Sequence, residues 1–384
     1  MFIPRPDTAI VFQIGVPRRA VLIAALVLVV LLSIEFVLTT GYSVVRYFQR
    51  KREDRIKEPL REELLTRLYR PSDPEWDHWV NSLSKHERSV LESLLDDYLR
   101  ELQGDDAEQL AGLGTALGIT AQAHRDLKQG SYNDRLHALT WLALLQDAPS
   151  IEVLKQHCME TPRERAAAVR VLDECDYPEI ETVGVDLLLS DDPDPFSVFG
   201  VDTLYRAAET DPSHLFNRAA EDFTTWEPQL QQQVLLACRH LRTLLGDANV
   251  FWLAEALDSP AERTRVEAAK TLGGFDWHPT LLKSIDLQTL ASDDSPLVRA
   301  GAYQMFGEWG DESAIDLLRF AGMTDDNDRA RVAAARALVE HRDEYSLNIP
   351  AESAAAWSWA RAHSIHDAAI RDVSTGVTEA SGHS

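Results

Sequence analysis

Cysteine is scarce. The 384 residues hold three, Cys158, Cys175 and Cys238, far apart and without a Cys-x-x-Cys pair. Their scarcity excludes a disulfide framework and a thiolate zinc site, and it fits a reducing compartment. All three fall in helical patterns and read as small buried apolar residues. Lysine is short as well, seven against 31 arginines. A glycine-rich phosphate loop and a Gly-x-Ser-x-Gly elbow are both missing, which removes two common ways to cradle a phosphate or activate a serine. Period-two alternation of apolar and polar residues is absent, so no segment reads as a strand.

Positive charge is deficient overall, with a formal net charge of -24. The deficit is uneven. Residues 1–70 carry 12 Lys+Arg against 7 Asp+Glu, whereas the remainder carries 26 against 55. An acidic body repels phosphates, and affinity for DNA rests on cationic contacts, so nucleic acid is excluded as a partner. Few lysines, many arginines and abundant acid together resemble proteins of salt-loving archaea. On that likeness the acidity is a halophilic adaptation to the solvent and says little about a partner.

What the chain does have is one long apolar run near its start. Ala20 to Leu32 is unbroken, and the pattern resumes through Phe36, Val37 and Leu38 to Val45. About twenty residues cross a bilayer core, so 20–45 is expected to be an uncleaved transmembrane helix after a short segment at 1–19. Arg5, Arg18 and Arg19 precede it; Arg46, Arg50, Lys51, Arg52, Arg55 and Lys57 follow it. Cations favour the cytoplasmic face, which makes this a single-pass protein of the cell membrane with its C-terminal bulk in the cytoplasm. The following cluster is also placed to touch anionic lipid headgroups. Glu35 within the run has two readings: a protonated or snorkelling carboxyl near the inner boundary, or a contact with another transmembrane helix.

Beyond a basic juxtamembrane segment and helical cap at 46–129, seven stretches repeat one pattern. Arginine or an apolar stand-in is followed by alanine or valine three residues on and a large apolar residue four further. They are Arg135-Ala138-Leu142, Arg165-Ala168-Leu172, Val198-Val201-Tyr205, Val234-Ala237-Leu241, Arg265-Ala268-Leu272, Arg299-Ala302-Phe306 and Arg331-Ala334-Leu338. The middle positions step by 30, 33, 36, 31, 34 and 32 residues. A period in the thirties marks a solenoid of helix pairs. An Asp-, Pro- or Ser-rich turn opens each helix, as in Ser292-Asp293-Asp294-Ser295-Pro296, and a Leu- and Ala-rich helix returns. The array is expected over 130–345, followed by a capping helix at 346–373 and a disordered tail at 374–384.

RVEAAKTL, VRAGAYQMF and RVAAARAL, each after an Asp-bearing turn, resemble the second helix of HEAT repeats, including the short phycobilisome-lyase-like form. The resemblance implies an all-α fold, an α-solenoid of about seven HEAT-like hairpins following one transmembrane helix. It also implies that Arg265, Arg299 and Arg331 form a structural ladder with the turn residues Asp294 and Asp328. Val198 and Val234 at the Arg position imply an interrupted ladder and a local irregularity there.

Chemistry is thinly represented. Di-iron enzymes on helical repeats carry four His-Glu pairs; this chain has one, His86-Glu87, inside the capping box that Ser84 opens. His363 and His366 are three apart with no third ligand, and His157 adjoins Cys158, so neither pair makes a metal site. Trp141, Trp226, Trp252, Trp277 and Trp309 fit layers between repeats better than binding anchors. No cofactor, metal or catalytic residue is expected. The leading expectation is a membrane scaffold that binds a protein partner. Its layout resembles accessories of membrane glycosyltransferases, which implies an envelope-assembly role. The alternative is a lyase or isomerase on the same scaffold. If Glu35 pairs with another transmembrane helix, Glu35→Leu will weaken oligomers in membranes; unchanged cross-linking of the variant would end that reading.

Overall fold

The computed structural model describes residues 35–36, 56–69, 74–190, 193–241, 249–275, 279–341 and 348–363. Among them every regular element is a helix, about twenty in all. The expected span at 20–45, apart from Glu35 and Phe36, lies outside the described residues, as do Arg46, Arg50, Lys51, Arg52, Arg55 and the tail. Among the described residues no helix is long and apolar enough to cross a membrane.

The chain divides into two compact units after Leu117. In the first, α1 (56–68), α2 (Trp76–Ser82), α3 (Lys85–Leu99) and α4 (Asp105–Ala116) bury leucines at helical spacing. The stripes are Leu60, Leu64 and Leu68 on α1 and Leu91, Leu94, Leu95 and Leu99 on α3. The capping box is formed: the Glu87 amide donates to Ser84 Oγ at 3.4 Å, and the Ser84 amide donates to Glu87 Oε2 at 2.8 Å. Trp76 packs on α4 and donates its ring N–H to the Gln109 carbonyl at 3.1 Å.

The second unit opens with α5 (Ile119–Gln129), which packs on α6. One row consists of α6 (Tyr132–Leu144), α8 (Pro162–Glu174), α10 (Val198–Ala208), α12 (Pro228–His240), α14 (Glu262–Gly273), α17 (Pro296–Trp309) and α19 (Asp328–Glu340). Each of these helices packs on the next along the whole series. The return helices between them are α7 (Ile151–His157), α9 (Ile180–Leu188), α11 (Ser213–Asp222), α13 (Trp252–Ala256), α15 (Pro279–Leu282), α16 (Leu287–Ala291) and α18 (Glu312–Thr324). A last helix, α20, occupies 354–363 and buries Trp357, whose ring N–H donates to the Gly322 carbonyl at 2.9 Å.

Caps set the register of the row. Thr161, Ser197, Ser295 and Asn327 accept first-turn amides with their side-chain oxygens, and proline fills the first position of α8, α12 and α17. Counted from the cap, the repeating arginine is the fourth residue, the alanine the seventh and the large apolar residue the eleventh. This corrects the expected alignment of the third and fourth repeats. Val198 and Val234 do not stand at the arginine position; Val201 and Gln231 do. The aligned triplets are Val201-Leu204-Ala208 and Gln231-Val234-Cys238, and the last two residues of each are fully buried. In α10 the sizes are exchanged, large at the seventh and small at the eleventh, so that the layer keeps its volume.

Close approach of α19 explains Gly307 inside α17. A Cβ on Gly307 would lie 2.6 Å from the Ala337 Cβ and 3.2 Å from its Cα, whereas one on Gly112 of α4 would meet only the Trp76 ring edge at 3.4 Å. Alanine improves helix propensity by about 1 kcal/mol at either site. Overpacking costs typically about 1–3 kcal/mol and arises only at Gly307. Gly307→Ala will therefore lower the urea midpoint and Gly112→Ala will raise it; equal shifts would contradict this packing.

Candidate functional site

Among the described residues of the second unit, a repeated polar architecture runs along the line of helix starts in the α6–α19 row. It is built from the arginine at the fourth position. Each reaches back to the carbonyl of the turn before its own helix. Arg165 donates to Met159 O at 3.3 Å, Arg265 to Ser259 O at 3.0 Å, Arg299 to Asp293 O at 2.9 Å and Arg331 to Asp325 O at 2.9 Å, each six residues back. Arg135 makes the same kind of bond to Gly130 O at 3.4 Å. Those carbonyls lie outside any helix and need donors.

The remaining guanidinium N–H groups point to the next repeat. Arg135 contacts Glu164 and Glu160, both at 2.7 Å. Arg165 lies 4.0 Å from Asp194. Arg265 grips Asp293 with two bonds of 2.9 and 3.1 Å, and Arg299 grips Asp325 with two of 3.0 and 2.8 Å. Such bidentate pairs are the stronger, more directional kind. Arg299 also reaches Asp326 at 2.5 Å, and Arg331 ends the series on the Glu352 carbonyl at 3.0 Å.

The acids differ from those expected. Arg265 pairs with Asp293, not Asp294, and Arg299 with Asp325, not Asp328. Asp293 and Asp325 also accept the amides of Ser295 and Asn327, which turns their carboxylates inward beneath the following helix start. Asp328 is the first residue of α19, lies 3.6 Å from Arg331 and is 93% exposed on its side chain. Asp325, by contrast, is 3% exposed on its side chain. Burial opposes its charge, but bonds from Arg299, the Asn327 amide and Tyr303 outweigh that and hold its carboxyl below the ordinary aspartate range. The Tyr303 hydroxyl lies 2.9 Å from Asp325 Oδ2, and burial first, then this bond to a carboxylate, pushes its ionisation upward.

At the third and fourth repeats the charged ladder gives way to amides. Gln231 Nε2 donates to Phe223 O at 2.8 Å, reaching back eight residues to the short 3-10 helix Phe223–Thr225 that precedes α12. Val201 has no polar group to offer. Instead Gln233 reaches back from α12: its Nε2 donates to Phe196 O and its Oε1 accepts from Phe196 N, both at 2.7 Å. Sequence reasoning missed both glutamines. Gln-Gln-Gln at 231–233 was visible, but nothing local marks which amide meets a turn.

The other expected positions are quickly placed. Lys57 pairs with Asp97 at 3.0 Å on the surface of the first unit, a contact worth little. Glu35 is helical and exposed. Trp141, Trp226, Trp252 and Trp309 are buried in the layers, and Trp277 lies outside the described residues. His363 stacks on Trp359 with ring centroids 3.5 Å apart, and His366 lies outside the described residues. Burial pushes the Cys158 thiol up to about 12 and the Cys175 thiol up to about 11, which keeps both protonated. Among the described residues no three His, Cys, Asp or Glu are grouped to hold a metal ion.

Fold and edge together define a helical-repeat array joined by side chains that bridge successive turns. Residues 284–365 match the family model described as HEAT repeats, and the two aspartates of the bidentate rungs lie in that stretch. No curated protein and no solved structure matches the chain.

Removing one member of a buried pair costs about 3–5 kcal/mol because the other charge is left desolvated. Asp325→Asn will destabilise by that order, while Asp294→Asn and Asp328→Asn will stay within about 0.5 kcal/mol; urea titration separates them. The pH sign follows from the depressed carboxyl. Its contribution is complete above the unfolded aspartate value near about 3.9 and is lost as pH falls through the folded value. Asp325→Asn will therefore flatten the acid limb of the stability curve. The raised Tyr303 acts at the other end: its contribution is complete below about 10 and is lost as pH rises through the folded value. Tyr303→Phe will flatten that alkaline limb.

Proposed function

We propose that this protein is a membrane-anchored scaffold whose HEAT-like array binds a protein partner on the cytoplasmic side of the cell membrane. One observation carries the reading: a single row of helices from α6 to α19, each packed on the next, with an edge of bonded turns. An array of this kind offers an extended surface for contact rather than an enclosed pocket for chemistry. The match of 284–365 to HEAT repeats supports protein binding.

The anchor is the apolar run at 20–45, oriented by the cations that follow it, and Arg46, Arg50, Lys51, Arg52, Arg55 and Lys57 contact anionic headgroups. The partner belongs to an envelope-assembly complex, on the resemblance of layout to glycosyltransferase accessories. The protein is not an enzyme in this reading and needs no cofactor.

Solubilisation of native membranes in mild detergent, followed by affinity isolation of the full-length chain, tests the proposal. A stoichiometric partner is expected to co-purify. A full-length protein that runs alone as a monomer would overturn the scaffold reading. Protease added to intact cells is expected to leave the C-terminal bulk uncut; cleavage from outside would overturn the orientation.

A further inference from the structure

The start of α10 differs from the others of its row in exposing two adjacent large apolar side chains, where α6 and α17 expose one each, Tyr132 at 37% and Leu297 at 38%. First and second positions elsewhere are Tyr132-Asn133, Pro162-Arg163, Pro228-Gln229, Glu262-Arg263, Pro296-Leu297 and Asp328-Arg329. At α10 they are Val198 and Phe199, 89% and 42% exposed. Valine is a poor helix starter, and a side chain this exposed adds almost nothing to the core.

The pair is nevertheless held firmly. Ser197 caps the helix, its Oγ accepting the Gly200 amide at 3.4 Å. Phe196, just before the cap, is buried and pinned by both amide bonds of Gln233. Arg170 of α8 lies over one side of the Phe199 ring, 5.2 Å from its centroid, and is itself bonded to Asp202. Apolar side chains fixed before binding lose little entropy when covered, which is the usual condition of an interface anchor.

The charge immediately around the pair, as distinct from the overall acidity, bears on the partner. Asp194 and Asp202 flank the pair and are exposed. Arg170 is offset by Asp202 and by Glu174 at 3.7 Å. Arg165 lies 4.0 Å from Asp194, and Arg206 pairs with Asp173 and Glu174, so four carboxylates face three arginines and the field beside the apolar pair is negative by one charge, which favours a cation at its rim.

We propose that the Val198–Phe199 edge is a docking site for a protein segment with a large apolar side chain flanked by Arg or Lys. The inference rests on the scaffold reading and names where that scaffold grips and what it takes.

The test uses the full-length protein in zwitterionic nanodiscs and three fluorescein-labelled heptapeptides. The probe is Lys-Arg-Gly-Trp-Gly-Lys-Arg; in the second peptide Ser replaces Trp, and in the third Glu replaces every cation. Fluorescence anisotropy is expected to show binding of the probe, weakened about tenfold or more in each of the other two peptides. The double variant Val198→Ser with Phe199→Ser is expected to lose about tenfold in affinity for the probe. Phe320→Ser, at a position 67% exposed on α18, is expected to leave binding unchanged. Both variants lie on the surface, and matching thermal melts establish that they fold. Absence of probe binding, equal binding by the double variant, or equal binding of the Glu peptide would overturn the site. If the double variant still co-purifies with the native partner, the site falls and the scaffold reading stands.

Discussion

The second unit depends on one recurring constraint: the chain entering each row helix leaves a backbone carbonyl that accepts from a side chain, and in all but α12 that carbonyl lies outside any helix. Where an aspartate sits at the turn before the helix, one residue serves two repeats. Asp325 gives its carbonyl to Arg331 of its own repeat and its carboxylate to Arg299 of the one before. Asp293 does the same for Arg299 and Arg265. Arg265 and Arg299 are thus each tied to the turn of their own repeat and to that of the next, and a helix cannot slide along its axis without breaking two sets of bonds. Packing of small residues alone would tolerate such sliding; directional bonds do not.

The middle of the array shows what the constraint permits. Gln231 satisfies the Phe223 carbonyl without a charge, and Gln233 serves the turn of the preceding repeat because Val201 cannot. Neutral amides need no counter-charge, so the ladder's electrostatic rungs lapse there while its hydrogen bonds persist. The same place carries the exposed Val198 and Phe199. Charged rungs around Arg265 and Arg299 and an exposed apolar pair at α10 thus lie on one edge.

Much of this was legible because it is local. The period in the thirties, the Asp-bearing turns, the capping box at Ser84 and the buried alanines follow from helix geometry and from backbone needs that repeat in every hairpin. The buried tryptophans were legible for the same reason, since large rings at helical spacing fill layers. Less legible was the register of α10 and α12. Val198 and Val234 look like stand-ins for arginine when only apolar character is compared. The helix caps place Val201 and Gln231 there instead, and a cap is defined by backbone conformation that no residue pattern fully specifies.

Sequence by itself determined the all-helical character, the repeat unit and which arginines recur, because hydrophobic period and cap chemistry act within one hairpin. Only tertiary structure decided which carboxylate meets which arginine. Asp293 and Asp294 are chemically identical neighbours, yet the turn points one inward beneath the next helix and leaves the other outside the rung. The choice depends on backbone direction and on a donor about thirty residues away in the chain, and no local pattern encodes either.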